Sequence, residues 1–230
     1  MTAPTPLALQ PTLAEPQDSL PEISLGELPD NLRTAVGHPG WDSLMPVQAR
    51  AIPYLLAGRD LVIQARTGSG KTAAFLLPML ERLDATADRT QALVLVPTRE
   101  LARQVQSDAE MLWESSGLRS TAVYGGVGYE PQIKALREGV QLVVATPGRA
   151  LDHLLRGAFS LKDLTTLVFD EADRMLSMGF YPDMKQVQAY LPDRPIHTTM
   201  FSATFPASVM KTAREFIAEP EFLTLSRDHV

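Results

Sequence analysis

Short strand-like runs, several of them apolar throughout, recur along this sequence between stretches with helical spacing, and no other feature narrows its fold as far. The runs cover residues 61–64, 92–96, 120–124, 142–145, 166–169 and 197–201, and residues 222–225 extend the series. Helical segments begin near Gly70, Arg99, Pro131, Pro147, Asp183 and Pro206. Two more precede the first run. One starts at Asp30, and one spans 45–56 with Ala49, Ile52, Leu55 and Leu56 on one face. Strands that are apolar throughout belong to a sheet covered by helices on both sides. Strict alternation of strand and helix makes the sheet largely parallel. The expected fold is therefore α/β, a mostly parallel β-sheet with helices on both faces. In such sheets ligands bind beyond the carboxyl ends of the strands.

The bulk composition limits what can bind there. The 230 residues contain no cysteine, which removes disulfides, thiolate metal sites and a cysteine nucleophile, and agrees with a cytoplasmic protein. The four histidines, His38, His153, His197 and His229, have no metal-ligand spacing. Apolar runs such as Leu93-Val94-Leu95-Val96 are far too short to span a bilayer. No signal peptide is visible at the N-terminus, so no membrane partner is expected. The net charge of -6 lacks the overall basic excess of a nucleic-acid binder, so any such contact must come from a local patch or from backbone amides. Residues 1–22 hold Pro4, Pro6, Pro11, Pro16 and Pro21, and read as a flexible tail. Their composition suits an inert extension and a partner-binding segment equally.

Two motifs carry chemistry. Ala65-Arg66-Thr67-Gly68-Ser69-Gly70-Lys71-Thr72 joins a strand to a helix in the form of a P-loop, with Ala65 in the first glycine position. Small residues let successive N–H groups wrap phosphate oxygens, and the helix N-terminus adds partial positive charge. Lys71 supplies a cation for the β- and γ-phosphates, and Thr72 a hydroxyl for Mg²⁺. Further on, Asp170-Glu171-Ala172-Asp173 follows the buried run at 166–169. Asp170 is placed to hold Mg²⁺ through water, and Glu171 to orient or deprotonate an attacking water. Taken alone, the acids also suit a helix N-terminus, where they complement the dipole. The neighbouring P-loop favours the functional reading.

With Pro97-Thr98-Arg99-Glu100-Leu101-Ala102, Gly125-Gly126, Thr146-Pro147-Gly148-Arg149 and Ser202-Ala203-Thr204, these motifs resemble the first domain of DEAD-box RNA helicases in order and spacing. The resemblance covers about residues 23–226 and implies a RecA-like P-loop NTPase domain. It implies that ATP, with Mg²⁺, is bound by residues 66–72, with Gln48 reading adenine and Trp41 near the base. It assigns the RNA sugar–phosphate backbone to Pro97, Thr98, Arg99, Gly125, Gly126, Thr146, Pro147, Gly148 and Arg149. It makes Asp173, Ser202, Ala203 and Thr204 the link between nucleotide state and unwinding. The implied activity is ATP-dependent RNA unwinding or remodelling, driven by closure of two domains. Residues 227–230 would begin a linker to a second, arginine-bearing domain that this sequence does not contain.

Three departures stand out. Leu44-Met45-Pro46 replaces the family's Pro-Thr-Pro or Pro-Ser-x, and Ile23 stands where a phenylalanine is usual. Both bear on adenine recognition. The third is the missing second domain. Structural readings compete at several positions: Trp41 as core, Gln48 as a solvent-facing helix residue, Gly125-Gly126 as a plain turn, and Ser202 and Thr204 as helix caps. Arg99 and Arg149 oppose the dipole at helix starts, which favours an anionic ligand over simple solvation. The region 175–178 reads as helix and core packing. Two other functions stay open at this point, an ATP-gated RNA clamp with little turnover and a DNA translocase.

Overall fold

The computed structural model describes residue 16, residues 18–37 and residues 40–224. Most of the 1–22 tail, the 227–230 linker, Leu225, His38 and His229 therefore lie outside the described residues. A 3-10 turn at Leu25–Glu27 leads into α1 (Asp30–Gly37) and α2 (Pro46–Leu56). Then come β1 (Leu61–Gln64), α3 (Lys71–Arg82), β2 (Ala92–Leu95), α4 (Arg99–Leu112), β3 (Ser120–Val123) and α5 (Tyr129–Arg137). The chain continues through β4 (Leu142–Ala145), α6 (Pro147–Leu155), β5 (Thr166–Phe169), α7 (Ala172–Ser177) and α8 (Tyr181–Gln188). It ends in β6 (His197–Ser202), α9 (Ala207–Phe216) and β7 (Glu221–Thr224).

The seven strands form one sheet in the order β3-β4-β2-β5-β6-β1-β7, and every pairing is parallel. Alternate side chains of each strand feed two separate cores. Leu61, Ile63, Val94, Val144, Val168 and Phe201 pack on one face against α1 to α4. Val62, Leu93, Leu95, Val143, Phe169 and Met200 pack on the other against α5 to α9. Both faces being covered is why the strands read as unbroken apolar runs rather than alternating ones.

Small boundary differences have local causes. Strands β2 and β3 each stop one residue before the apolar run does. The carbonyl of Tyr124 leaves the ladder and accepts side-chain donors from Gln132 and Arg149 instead. Helix α5 starts before Pro131, because proline in a first turn forfeits no intrahelical bond. The core-packing expectation for 175–178 needs correction. Met175 is buried, but Met178 closes α7 and is 49% exposed. Gly179, at φ 82°, turns the chain there, so Met178 faces the sheet's carboxyl edge rather than the core.

Candidate active site and nucleic-acid groove

Because all seven strands run parallel, their carboxyl ends share one edge, and the singled-out motifs follow those ends. The P-loop lies between β1 and α3. Its positive φ angles fall on Gly68 (79°) and Gly70 (86°), where a side chain would be strained. Ala65 is not among the positive-φ residues, so a methyl group in the first glycine position costs no strain. Its N–H instead donates to Ser202 O at 3.0 Å, tying the loop to β6.

Gln48 is buried at 2% exposure rather than facing solvent. Its Oε1 accepts from Met45 N (2.8 Å) and its Nε2 donates to Gly70 O (3.1 Å). A single side chain thus caps α2 and touches the phosphate loop. A Cβ on Gly70 would sit 2.6 Å from Met45 Sδ and 2.7 Å from Gln48 Nε2. Met45, which replaces the family's hydroxyl residue, packs on the loop through its thioether. Trp41 and Ile23 are partly buried against the α1–α4 core.

Opposite the P-loop, Asp170 is fully buried and Lys71 nearly so. Lys71 Nζ lies 2.9 Å from Asp170 Oδ1 and 3.7 Å from Glu171 Oε1. The ammonium is close but not aligned as a hydrogen bond, so both Asp170 oxygens lack an aligned donor. Burial pushes the Asp170 carboxyl above its usual range, and the Lys71 charge opposes that rise. Buried carboxylate oxygens without an aligned donor suit a hard divalent cation. Among the described residues no cluster of three His, Cys, Asp or Glu exists, so such an ion would draw further ligands from water and phosphate, as Mg²⁺ does.

Glu171 is the sole described non-glycine residue with positive φ (57°). A left-handed glutamate stores about 1–3 kcal/mol of strain, the kind that persists at functional sites. Three groups converge on its carboxylate. Thr67 Oγ1 donates to Oε1 (3.0 Å), Arg174 Nη1 donates to Oε2 (3.2 Å), and Lys71 stands on the same side. Arg174 and Ser177 line this cleft beside Lys71 and Glu171, and neither was singled out from the sequence. They were legible only as the continuation of a helix past the tetrad.

The loop after β6 is fastened to α7. Asp173 Oδ2 accepts from Thr204 N (3.0 Å) and Thr204 Oγ1 (2.7 Å), and Asp173 N donates to Ser202 Oγ (3.3 Å). Ser202 Oγ donates in turn to Thr204 O at 2.7 Å. Gln64 Nε2 reaches Ala203 O (3.3 Å) from β1. Ser202 and Thr204 therefore bond the acidic helix α7 rather than capping α9, whose N-cap residue is Pro206.

A second, separate groove lies over β2, β3 and β4. Pro97, Thr98, Arg99, Gly125, Thr146, Gly148 and Arg149 line it, joined by Glu100, Asp152, Met178 and Phe180. Thr98 also caps α4, accepting from Leu101 N at 3.2 Å. Arg99 is exposed, bonded to Glu100 (2.6 Å), and its Nη1 would lie 3.8 Å from a Cβ on Gly126. Gly126, at φ 82°, needs glycine, and nothing crowds Gly125. Arg149 is buried: Nε donates to Tyr124 O (2.9 Å) and Nη2 to Val127 O. Glu100 belongs to the 97–102 motif but was given no role there, and Asp152 had no signal in the sequence beyond its helix-face position.

Comparison with known proteins places this geometry. The DEAD/DEAH box helicase family model matches residues 45–212. The chain is 49% identical over 186 residues to "ATP-dependent RNA helicase DeaD" of Escherichia coli K12, covering 79% of this chain and 29% of that protein. It is 46% identical over 198 residues to "DEAD-box ATP-dependent RNA helicase 30" of Arabidopsis thaliana, covering 84% and 33%. Thus the chain spans about a third of the length of these relatives. Among solved structures, a DEAD box protein from Methanococcus jannaschii superposes with a TM-score of 0.83 at 37% identity, covering 88% of this chain and 56% of that one.

Proposed function

Since this chain belongs to the DEAD/DEAH box helicase family, we propose that it is the ATP-binding half of an ATP-dependent RNA helicase, closing on ATP and RNA together with a second domain. The observation that carries the reading is the pairing of two sites along one sheet edge: Lys71, Asp170 and Glu171 in one cleft, and Arg99, Gly125 and Thr146 in the other. The β6 loop, through Asp173, links the nucleotide cleft to the adjoining strand ends.

In this mechanism the P-loop amides and Lys71 bind the triphosphate, and Lys71 exchanges its contact with Asp170 for phosphate oxygens. Thr72 and Asp170 would hold Mg²⁺, which supplies charge neutralisation across the phosphates when bound. Glu171, held by Thr67 and Arg174, takes the proton of the attacking water or orients it. In the groove, Arg99 pairs with a backbone phosphate, while the open Gly125-Gly126 turn lets the strand approach main-chain N–H groups. These contacts are to sugar and phosphate, so they carry no base preference. They also explain how a chain of net charge -6 can bind a polyanion. A cytoplasmic location is part of this proposal, and the absence of cysteine agrees with it.

The test is ATP turnover by the protein extended to its relatives' length, with oligouridylate and with oligothymidylate as activators. RNA should stimulate and DNA should not, because the 2′-hydroxyl separates the two polymers. Equal stimulation would make the protein a translocase of either strand. Strong RNA binding without turnover would make it a clamp.

A further inference from the structure

Tyr129 opens α5 and has no part in the motifs described above. Its ring centroid lies 3.8 Å from the Arg149 guanidinium carbon and 4.1 Å from that of Arg156. Arg149 lies in the first turn of α6 and Arg156 caps its C-terminus, seven residues or about 10 Å of helix rise further on. The ring therefore sits between the two cations rather than beside them. Its hydroxyl donates to Asp152 Oδ2 (2.9 Å), and its edge meets His153 at 5.6 Å between centroids. On the inner side, Arg149 bonds the carbonyls of Tyr124 and Val127, and Gln132 Nε2 donates to Tyr124 O at 3.1 Å. These carbonyls bracket the Gly125-Gly126 turn. The guanidinium of Arg149 is thus spent on the loop, with little surface left for a phosphate.

We propose that Tyr129 is a positioning residue for nucleic-acid binding: clamped between Arg149 and Arg156, it fixes Arg149, and Arg149 fixes the turn at residues 125–128 in the shape that meets the strand. The inference rests on the RNA-binding reading above. Two glycines in a row leave that turn many conformations, and holding it in one before binding removes an ordering cost from binding. Arg149 on this account acts through the loop, whereas exposed Arg99 meets phosphate itself.

The experiment uses the 230-residue chain, with Tyr129→Leu, Tyr129→Phe and Arg99→Ala. Amide hydrogen exchange at residues 125–128 is measured without RNA, and oligouridylate binding is measured over a salt series. Tyr129→Leu should speed exchange at the turn and weaken RNA roughly threefold to thirtyfold, the span of cation–π contacts from exposed to desolvated. Its log K against log salt slope should stay at the wild-type value. Tyr129→Phe keeps the ring between the cations and should stay close to wild type, which controls for a folding defect in the leucine variant. Arg99→Ala should flatten the slope by about 0.7, as loss of one phosphate contact to a single strand requires. Unchanged exchange in Tyr129→Leu would overturn the proposal, as would faster exchange with undiminished RNA affinity. A flattened slope in Tyr129→Leu would mean that Arg149 contacts phosphate directly, and would also overturn it. If the wild-type protein extended to its relatives' length also bound no RNA, the functional reading itself would fail. The exchange data would still report whether the clamp holds the turn.

Discussion

At the scale of single residues, the nucleotide cleft separates ground-state binding from chemistry. On the proposed mechanism, Lys71 meets phosphate before reaction, whereas Glu171 acts on the water. Lys71→Ala should lower ATP affinity about tenfold or more, since a charge-assisted hydrogen bond is worth ~1.5–3 kcal/mol. Glu171→Gln keeps the side-chain shape and an acceptor oxygen for Thr67, so its affinity should stay within about threefold of wild type while turnover collapses. Calorimetric titration with ATP decides this, and equal losses in the two variants would contradict the division of roles. Lys71 and Glu171 were both legible from motif spacing. Arg174, which also holds Glu171, was not, because it lies in a stretch of sequence no different from any exposed helix turn.

At the scale of elements, the N-terminus of α3 is the most constrained junction. Gly70 is left-handed, and a Cβ there would also strike Met45 and Gln48. Gly70→Ala should lower the melting temperature by roughly 2–10 °C, from about 1–3 kcal/mol of strain and contact in a domain of this size. Gly68→Ala, equally left-handed but with nothing within 4 Å of the added carbon, should cost less. Identical melting curves for the two would remove any role for the Met45–Gln48 lid. A second element-level effect is set by pH. Burial lowers the pKa of His153 on α6 and His197 on β6 below the ordinary 6.5. Around His153, Arg149 and Arg156 push the same way and Asp152 opposes; around His197, Arg82 pushes the same way, and Asp60 and the Arg59 carbonyl oppose. The unfolded chain therefore takes up protons first as pH falls, so stability is complete above about pH 6.5 and is lost below it toward the lowered native values. Urea unfolding at pH 7.5 and pH 5.5 should show this loss, and His153→Gln should shrink it. A wild-type loss no larger than that of His153→Gln would contradict the assignment.

At the scale of the whole molecule, the chain spans about a third of its relatives' length, and the proposed mechanism needs a second domain to complete the nucleotide cleft. Phosphoryl transfer needs positive charge on both sides of the transferring group, and an arginine finger is typically worth ~10³–10⁵ in rate. The 230-residue chain should therefore hydrolyse ATP slowly, and RNA should not accelerate it. A version extended to the length of its relatives should respond strongly to RNA, because on the proposed mechanism closure would bring further cations to the cleft and exclude water, strengthening every charge inside. Phosphate release by the two proteins, with and without RNA, distinguishes these outcomes. Strong RNA stimulation of the short chain would show that its site is complete within it.

The order of strands and helices, the phosphate loop and the acidic tetrad were legible from the amino-acid sequence, because each depends on local spacing. Runs such as 61–64 and 142–145 announce strands buried on both faces, and Gly68 and Gly70 announce a backbone that must turn left-handed. Assembly decided what those residues do to one another. Nothing local shows that Gln48 is buried and bonds Gly70, that Met178 faces the groove instead of the core, or that Ser202 and Thr204 bond Asp173. Arg149 is the sharpest case. A helix-start arginine opposes the dipole, which suggests an anion, yet its partners are carbonyls from a loop more than twenty residues away in the chain. The strand order that sets β3 beside β4 brings that loop to α6. A guanidinium bonds whatever acceptors tertiary packing puts within reach, and sequence spacing carries no record of them.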